Sequence, residues 1–153
     1  MALMSNDEIK NFLMFETFTA KLATVNKDGS PHVAPIWFVL DETEITENNK
    51  CFDIIFTTGN TSTKGRNILR DPRVTISVDD QTPPFSFVIL IGLVASIHEE
   101  PSELLRWATR IAERYVGKEN AEEYGKRNSS KGELLVRVRP RKVLAEKNVA
   151  GWD

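Results

Sequence analysis

The sequence predicts a mainly β fold, an antiparallel β-barrel with α-helical decoration, in a single domain covering residues 1–153. About six segments have the alternating or short apolar pattern of β-strands, and turn residues separate them. Gly92 interrupts the longest apolar strand, 85–97, and would allow the bend that a small barrel requires. The helical pattern is confined to the start of the chain, a short central segment and a long late one.

The chain begins with a predicted amphipathic helix over residues 5–16. Ser5 and Glu8 have the spacing of a capping box, and Ile9, Phe12 and Leu13 fall on one face. We expect this helix to lie across one end of the sheet.

A β-hairpin is predicted next, with strands over 18–25 and 31–40 and turn chemistry in Asn-Lys-Asp-Gly at 26–29. Pro35 lies inside the second strand and cannot donate a ladder hydrogen bond. The strand is therefore expected to be an edge strand or to carry a bulge at Pro35, and such breaks often face a ligand.

The remaining elements follow from the same signals. The polar stretch 41–50 predicts a loop, and Ser102 is expected to cap the long helix over 102–116. Leu104, Leu105, Ala108, Ile111, Ala112 and Tyr115 would form its apolar face. Further strands are predicted at 52–58, 73–78, 85–97 and 133–146, a capped short helix at 61–70, and a second late helical piece through 131, with Pro140 preceding a last short segment, 142–146.

Composition and charge narrow the functional classes. Hydrophobic residues make up 41% and charged residues 27% of the chain, as in ordinary globular proteins. The net charge of -2 argues against a nucleic-acid-binding barrel, and no apolar run approaches the roughly 18 residues of a membrane span. Cys51 is the single cysteine and is interpreted as structural or incidental, so we expect a cytoplasmic protein. Two histidines without ligand spacing predict no metal site.

The segment Thr57 to Asn67 carries the clearest chemical signal. A strand ending in hydroxyls runs into a helix start that bears Lys64 and Arg66. Helix N-terminal amides, hydroxyls and cations together are typical of a phosphate site. The residues alone leave a capped surface helix with solvated cations as the alternative, since neither a Walker pattern nor GxGxxG is present.

Three blocks in order resemble one known family across about residues 9–146: LATVNKDGSPHVAPIWFVLD, IIFTTGNTSTKGRNILRDPRVTISVDD and PPFSFVILIGLVASI. They are similar to the pyridoxamine-phosphate-oxidase-like split barrels that bind FMN, and especially to the subgroup that uses the deazaflavin coenzyme F420. The resemblance implies a six-stranded Greek-key barrel that forms a homodimer, with one cofactor in each of two grooves at the subunit interface.

The resemblance also implies positions for the cofactor. Thr57, Thr58, Ser62, Lys64 and Asn67 fall where the family holds the phosphate or tail, with Arg66 as a neighbour. The hairpin residues His32, Pro35, Ile36 and Trp37 fall along the ring. Phe85 and Phe87 align with the substrate face, although their alternation equally suits barrel core, and Trp37 equally suits a core or interface aromatic.

Hydride transfer between bound FMN or F420 and a small organic substrate is the expected function, with a slight preference for F420. A quinone, an unsaturated ketone or a tetrapyrrole would suit, and no catalytic residue is assigned, because the cofactor carries the chemistry. The chain ends in KVLAEKNVAGWD and lacks the basic substrate-phosphate region of the true oxidases, which argues against vitamin B6 oxidation. A non-catalytic flavin carrier or sensor is the alternative.

Arg106, Arg110 and Arg114 form a stripe on the long helix. It is interpreted as a solvated face, or else as contacts to an anionic cofactor tail.

Overall fold

The computed structural model describes residues 2–42 and 52–152. Cys51 and most of the predicted loop 41–50 lie outside the described residues. The strands are β1 (Ala2–Leu3), β2 (Ala20–Val25), β3 (Pro31–Ile36), β4 (Val39–Asp41), β5 (Asp53–Gly59), β6 (Arg73–Asp79), β7 (Phe87–His98) and β8 (Glu133–Lys147). The helices are α1 (Asn6–Leu13), α2 (Thr63–Arg70), α3 (Pro101–Val116) and α4 (Lys118–Arg127).

All eight strands belong to one antiparallel sheet with the order β3-β2-β6-β7-β8-β5-β4, and β1 pairs with β8. The two ends of this order, β3 and β4, are joined in the chain by Trp37 and Phe38 alone. Two residues span at most about 10 Å between flanking Cα atoms, so the opposite edges of the sheet must lie side by side. The sheet is therefore closed into a barrel that is split between β3 and β4.

The mainly β class is confirmed, but the prediction of six strands is wrong. The second predicted strand is divided at Trp37 and Phe38, where the chain crosses the split, and β1 adds a short strand beside β8. Pro35 lies in the edge strand β3 as expected, in continuous register opposite Lys21 and without a bulge.

A bulge lies at Gly92, where the sequence predicted a bend. The register of β7 and β8 shifts between Ile91 and Gly92, which pair with Lys142 and Pro140 and leave Arg141 as the extra residue. Because the bulge accommodates Pro140, β8 continues through it as one strand that includes the last short segment 142–146. A side chain at position 92 would come within 2.4 Å of the Arg139 carbonyl oxygen, so the close approach requires glycine.

Two apolar clusters organise the interior. The larger one fills the barrel and includes Leu22, Phe38, Phe56 and Ile76. The smaller one packs α3 against the outside of β4, β5 and β8 through Val39, Ile55, Leu104, Trp107, Ile111 and Leu135. Burial of Trp107 was not predicted, and Leu105, assigned to the apolar face, is 41% exposed. The long helix thus covers the barrel wall beside the split.

The helix starts are decided by local hydrogen bonds. The predicted capping box of α1 is present, with the Glu8 amide donating to Ser5 Oγ and the Ser5 amide donating to Glu8 Oε1. At α3 the cap is Glu100 instead of the predicted Ser102, because the Glu100 carboxylate accepts from the amides of Ser102 and Glu103. The hydrogen bonds from the Ser102 side chain and from these amides lower the Glu100 pKa.

Candidate functional site

A pocket of about 350 Å³ opens beside the split of the barrel. Its lining comes from the end of β3, the end of β5 and the start of α2, and from α3, α4 and the start of β8. It is lined by Pro35, Ile36, Trp37, Thr57, Thr58, Gly59, Lys64, Ile111, Tyr124, Arg127, Asn128 and Glu133.

The structure brings together the two groups of residues that the sequence singled out. Pro35, Ile36 and Trp37 from the hairpin meet Thr57, Thr58 and Lys64 from the strand-to-helix segment, although about twenty residues separate the two groups in the chain. They meet because β3 and β5 both end at the split.

Ser62 organises the connection from β5 to α2. Its side chain caps α2 by accepting from the Gly65 amide at 3.0 Å, and its hydroxyl donates to the Gly59 carbonyl at 2.8 Å. A hydroxyl has one hydrogen, so Thr58 must donate in its 3.0 Å contact with Ser62. The hydroxyl hydrogens of both residues are therefore used within the chain.

Other donors at this end of the pocket are free within the described part of the chain. The Thr57 hydroxyl and the Lys64 ammonium group form no hydrogen bond or ion pair with described residues, and both line the pocket. The amides of Thr63 and Lys64 are the first two of α2 and have no partner inside the helix. These groups are the ones that can meet an anion.

The remaining predicted cofactor residues do not line this pocket. Asn67 is 4% exposed, and its amide nitrogen donates to Thr24 and Asn26 while its oxygen accepts from Arg70. It ties α2 to β2. His32 is half-buried on β3 opposite Thr24, and the Arg66 side chain is exposed.

The C-terminal part of α3 contacts the side of the pocket that Trp37 lines. Trp37 stacks on Tyr115 with ring centroids 5.0 Å apart and planes 6° apart, and Trp37 remains 37% exposed. The Tyr115 hydroxyl donates to the Phe18 carbonyl at 2.7 Å and accepts from the Phe38 amide at 3.3 Å. The crossing at the split is thereby fixed at Trp37 and Phe38. Burial raises the pKa of Tyr115, so its phenol stays neutral near neutral pH.

Arg114 corrects the interpretation of the arginine stripe as a solvated face. Its guanidinium group donates to the carbonyl oxygens of Leu13, Glu16 and Phe38 at 2.7, 3.0 and 2.8 Å. Burial lowers the Arg114 pKa from its usual value. Arg106 and Arg110 instead lie over the Trp107 ring, with guanidinium carbons 4.9 and 4.3 Å from the ring centroid.

Helix α4 and the start of β8 contribute pocket residues that the sequence analysis did not identify. Tyr124, Arg127 and Asn128 come from α4 and its end, and Glu133 begins β8. Gly125 permits the close packing of α4 on α3, since a Cβ there would lie 2.3 Å from Thr109 Oγ1. No local pattern in this polar stretch indicates which helix it packs against.

Phe85 and Phe87 lie in a different cavity of about 530 Å³. That cavity is also lined by Asp79, Asp80, Ile89 and Val149, and shares no residue with the pocket at the split. Phe85 is 44% exposed at a positive φ of 63°. Within one chain, therefore, the predicted substrate face is separate from the predicted cofactor pocket.

Two features are absent from the described part of the chain. Among residues 2–42 and 52–152, no cluster of three or more His, Cys, Asp or Glu side chains is placed to hold a metal ion. Within the same residues, no helix has both the length and the apolar character needed to cross a membrane.

Comparison with solved structures supports the fold. The chain is 27% identical to a conserved hypothetical protein of Mycobacterium tuberculosis, with a TM-score of 0.79 and coverage of 99% of this chain and 90% of that one. It is 26% identical to an F420 reductase, with a TM-score of 0.68 and coverage of 88% and 94%. The heme storage protein HutZ of Vibrio cholerae shares the fold at 22% identity, a TM-score of 0.66 and coverage of 95% of each chain.

No curated protein sequence matches the chain. The family model described as pyridoxamine 5'-phosphate oxidase matches residues 5–146, which include every strand of the barrel except β1 and the last residue of β8. That span also contains every residue that lines the pocket at the split. The chain is therefore a member of the pyridoxamine 5'-phosphate oxidase family.

Proposed function

We propose that the protein is an oxidoreductase that binds a flavin or deazaflavin in the pocket at the split and transfers hydride to or from a small organic substrate. One observation carries this proposal: a single pocket joins an exposed aromatic strand end, at Trp37, to a cationic helix start, at Lys64. A flavin-type cofactor has the matching form, with a planar ring at one end and a phosphate at the other. A bound ring of this type supplies hydride acceptor and donor chemistry.

The donors at the phosphate end fit an anion. Lys64 supplies a positive charge, the Thr57 hydroxyl is free to donate, and the first amides of α2 point out of the helix. Thr58 and Ser62 act indirectly, because their hydroxyls hold the loop that orients those amides. Asn67 and Arg66 are placed to support the helix and the outer rim.

At the ring end, β3 is the edge strand of the sheet, so one side of its backbone has no strand partner among residues 2–42 and 52–152. Its peptide groups near Pro35 and Ile36 can therefore face the polar edge of a ring. Trp37, held parallel to Tyr115, offers an apolar surface beside that edge. These contacts orient the ring and exclude water from one face.

The deazaflavin coenzyme is our first candidate and FMN the second. The similarity to an F420 reductase, at 26% identity, supports placing F420 before FMN. Parallel titration of the apo-protein with FMN and F420, followed by ring absorbance and fluorescence, tests it. Tight binding of one at about one per subunit supports the proposal, whereas binding of neither contradicts it. A bound cofactor that is neither reduced nor reoxidised by candidate donors and acceptors would favour the non-catalytic carrier.

Replacing Lys64 with alanine is expected to weaken binding of the preferred cofactor by about 1 to 3 kcal/mol, or roughly 5- to 150-fold in Kd. The reason is the loss of a charge-assisted contact to phosphate. Isothermal titration measures the change. Arg66→Ala removes a cation from the same helix outside the pocket, so its effect on Kd should be smaller. Equal effects of the two substitutions would indicate that Lys64 acts through the overall positive charge of the helix and not through a direct contact with phosphate.

We further propose a homodimer that completes the site. Val33, Ala23, Thr75 and Ile91 pair in that order across β3, β2, β6 and β7, forming a row of apolar and small side chains on the outside of the barrel. Val33 is 64% and Ile91 39% exposed in the single chain. An exposed apolar row of this kind is typical of an interface.

The dimer proposal predicts that Ile91→Lys shifts sedimentation from dimer to monomer, because a charge in the interface would lose its hydration. The matched control is Leu69→Lys, which should leave the dimer intact. Leu69 is 55% exposed on α2 and lies outside that row. A wild-type monomer with full cofactor affinity would contradict a site shared between subunits.

A further inference from the structure

Glu133 introduces a negative charge at the end of the pocket that suits an anion. It is the first residue of β8, pairs with Gly59 at the end of β5, and lines the pocket together with Lys64. A Cβ built on Gly59 would lie 3.9 Å from Glu133 Oε1, so the carboxyl group lies over the end of β5. This position adjoins the free donors of Thr57 and α2.

Several charged side chains share the two cavities that this carboxyl group lines. Lys64 faces it from α2 and Arg127 lines the same pocket from α4. Glu133 also lines an adjoining cavity of about 370 Å³, to which Glu99 and Lys131 contribute. The carboxyl oxygens accept no hydrogen bond from any described residue and form no ion pair with one. Half-burial raises the Glu133 pKa and the Lys64 charge opposes that rise.

We propose that Glu133 is a specificity-determining residue that disfavours a phosphate monoester and favours a phosphate diester beside Lys64. This inference rests on the proposed function and assigns the pocket to the deazaflavin class of cofactor. FMN ends in a monoester, whereas the phosphate of F420 is a diester within a longer tail.

The discrimination follows from charge. A phosphate monoester carries about -1.5 to -2 at pH 7, whereas a diester carries one negative charge. Each additional unit of ligand charge is repelled by the ionised Glu133 carboxylate at close range, where solvent screens the repulsion incompletely. Lys64 attracts the more highly charged monoester more strongly than the diester, and Glu133 opposes that preference, whereas Arg127 is exposed to solvent. Removing the Glu133 charge should therefore shift the difference in affinity towards the monoester.

The matched probes are FMN and its phosphate monomethyl ester, which share the ring and ribityl chain and differ in one ionisation. Their Kd values are measured by fluorescence titration at about pH 8, where the monoester is fully ionised. We expect Glu133→Gln to strengthen FMN binding about tenfold more than ester binding, the order expected for one charge removed from the pocket. Glu99→Gln, in the adjoining cavity, should leave the ratio of the two Kd values unchanged.

Lowering the pH provides a control. Below the second phosphate pKa, which is about 6, FMN carries the same single negative charge as its methyl ester. The difference between the Kd ratios of the wild type and Glu133→Gln should therefore disappear, and its persistence would contradict an effect of ligand charge. The same ratio in wild type and Glu133→Gln at about pH 8 would overturn the proposal, and Glu133→Ala provides a second variant without the charge.

Failure of the proposed function gives a different result. If FMN, its methyl ester and F420 all fail to bind, the cofactor proposal is wrong, and methyl phosphate and dimethyl phosphate become the probes. The NMR signals of the Lys64 side chain then report binding. If Glu133→Gln increases the affinity for methyl phosphate more than the affinity for dimethyl phosphate, the role of Glu133 is supported. Equal increases in the two affinities overturn it.

Discussion

Replacing Asp53 with asparagine is expected to lower the free energy of unfolding by about 3 kcal/mol, because a buried ion cluster would lose its central charge. Asp53 is fully buried and accepts from Arg137 Nη1 at 2.9 Å and from Arg139 Nε and Nη2 at 3.0 and 2.9 Å. Asp41 pairs with the other nitrogen of Arg137 at 2.7 Å. The cluster joins β4, β5 and β8, the strands on one side of the split.

Urea unfolding followed by circular dichroism measures this change. The control is Asp79→Asn, which breaks the pair of Lys21 and Asp79 at 2.7 Å between side chains that are 39% and 44% exposed. An exposed pair contributes about 1 kcal/mol or less. Equal losses of unfolding free energy in the two variants would show that burial does not increase the contribution of Asp53 to stability.

Gly65→Ala is expected to lower the free energy of unfolding by about 3 kcal/mol and to weaken cofactor binding together with stability. A Cβ at position 65 would lie 2.1 Å from the Gly59 carbonyl oxygen and 2.9 Å from Ser62 Oγ. Both contacts belong to the connection that caps α2, so relief of the clash must move the helix away from β5. That movement displaces Lys64 and the first amides of α2 from the pocket.

The matched control for this prediction is Gly59→Ala in the same connection. A Cβ at position 59 meets Glu133 Oε1 at 3.9 Å, an ordinary contact, and the backbone there needs no positive φ. We expect a change in the free energy of unfolding within about 1 kcal/mol. A loss as large as that of Gly65→Ala would mean that glycine is needed throughout the loop and not only for the close approach.

Predictions from local signals were accurate where the signal and the structure involve neighbouring residues. The capping box at Ser5 and Glu8, the capped start of α2 and the bend at Gly92 depend on contacts that the chain makes within a few residues or along one strand pair. The cap of α3 was misplaced by two residues, because Ser is the preferred capping type, whereas Pro101 takes the first helical position and leaves Glu100 as the cap.

Predictions that depend on distant contacts were less complete. Asn67 and Arg114 have the residue types of ligand contacts, yet both bond to main-chain or side-chain groups far away in the sequence. The same polar side chain can serve a ligand or the fold, and the pattern of residues around it does not distinguish the two uses.

The amino-acid sequence by itself determined the mainly β class, the hairpin around the turn at 26–29, the cationic start of α2 and the resemblance to the family. These properties follow from periodicity, turn chemistry and residue order, which are local. Tertiary structure alone decided that the chain crosses the split at Trp37 and Phe38, that Tyr115 holds this crossing, and that Arg127 and Glu133 share a pocket with Lys64. Those juxtapositions arise when a sheet with distant edges closes and its helices pack on it, and they depend on the burial of apolar surface across the whole chain.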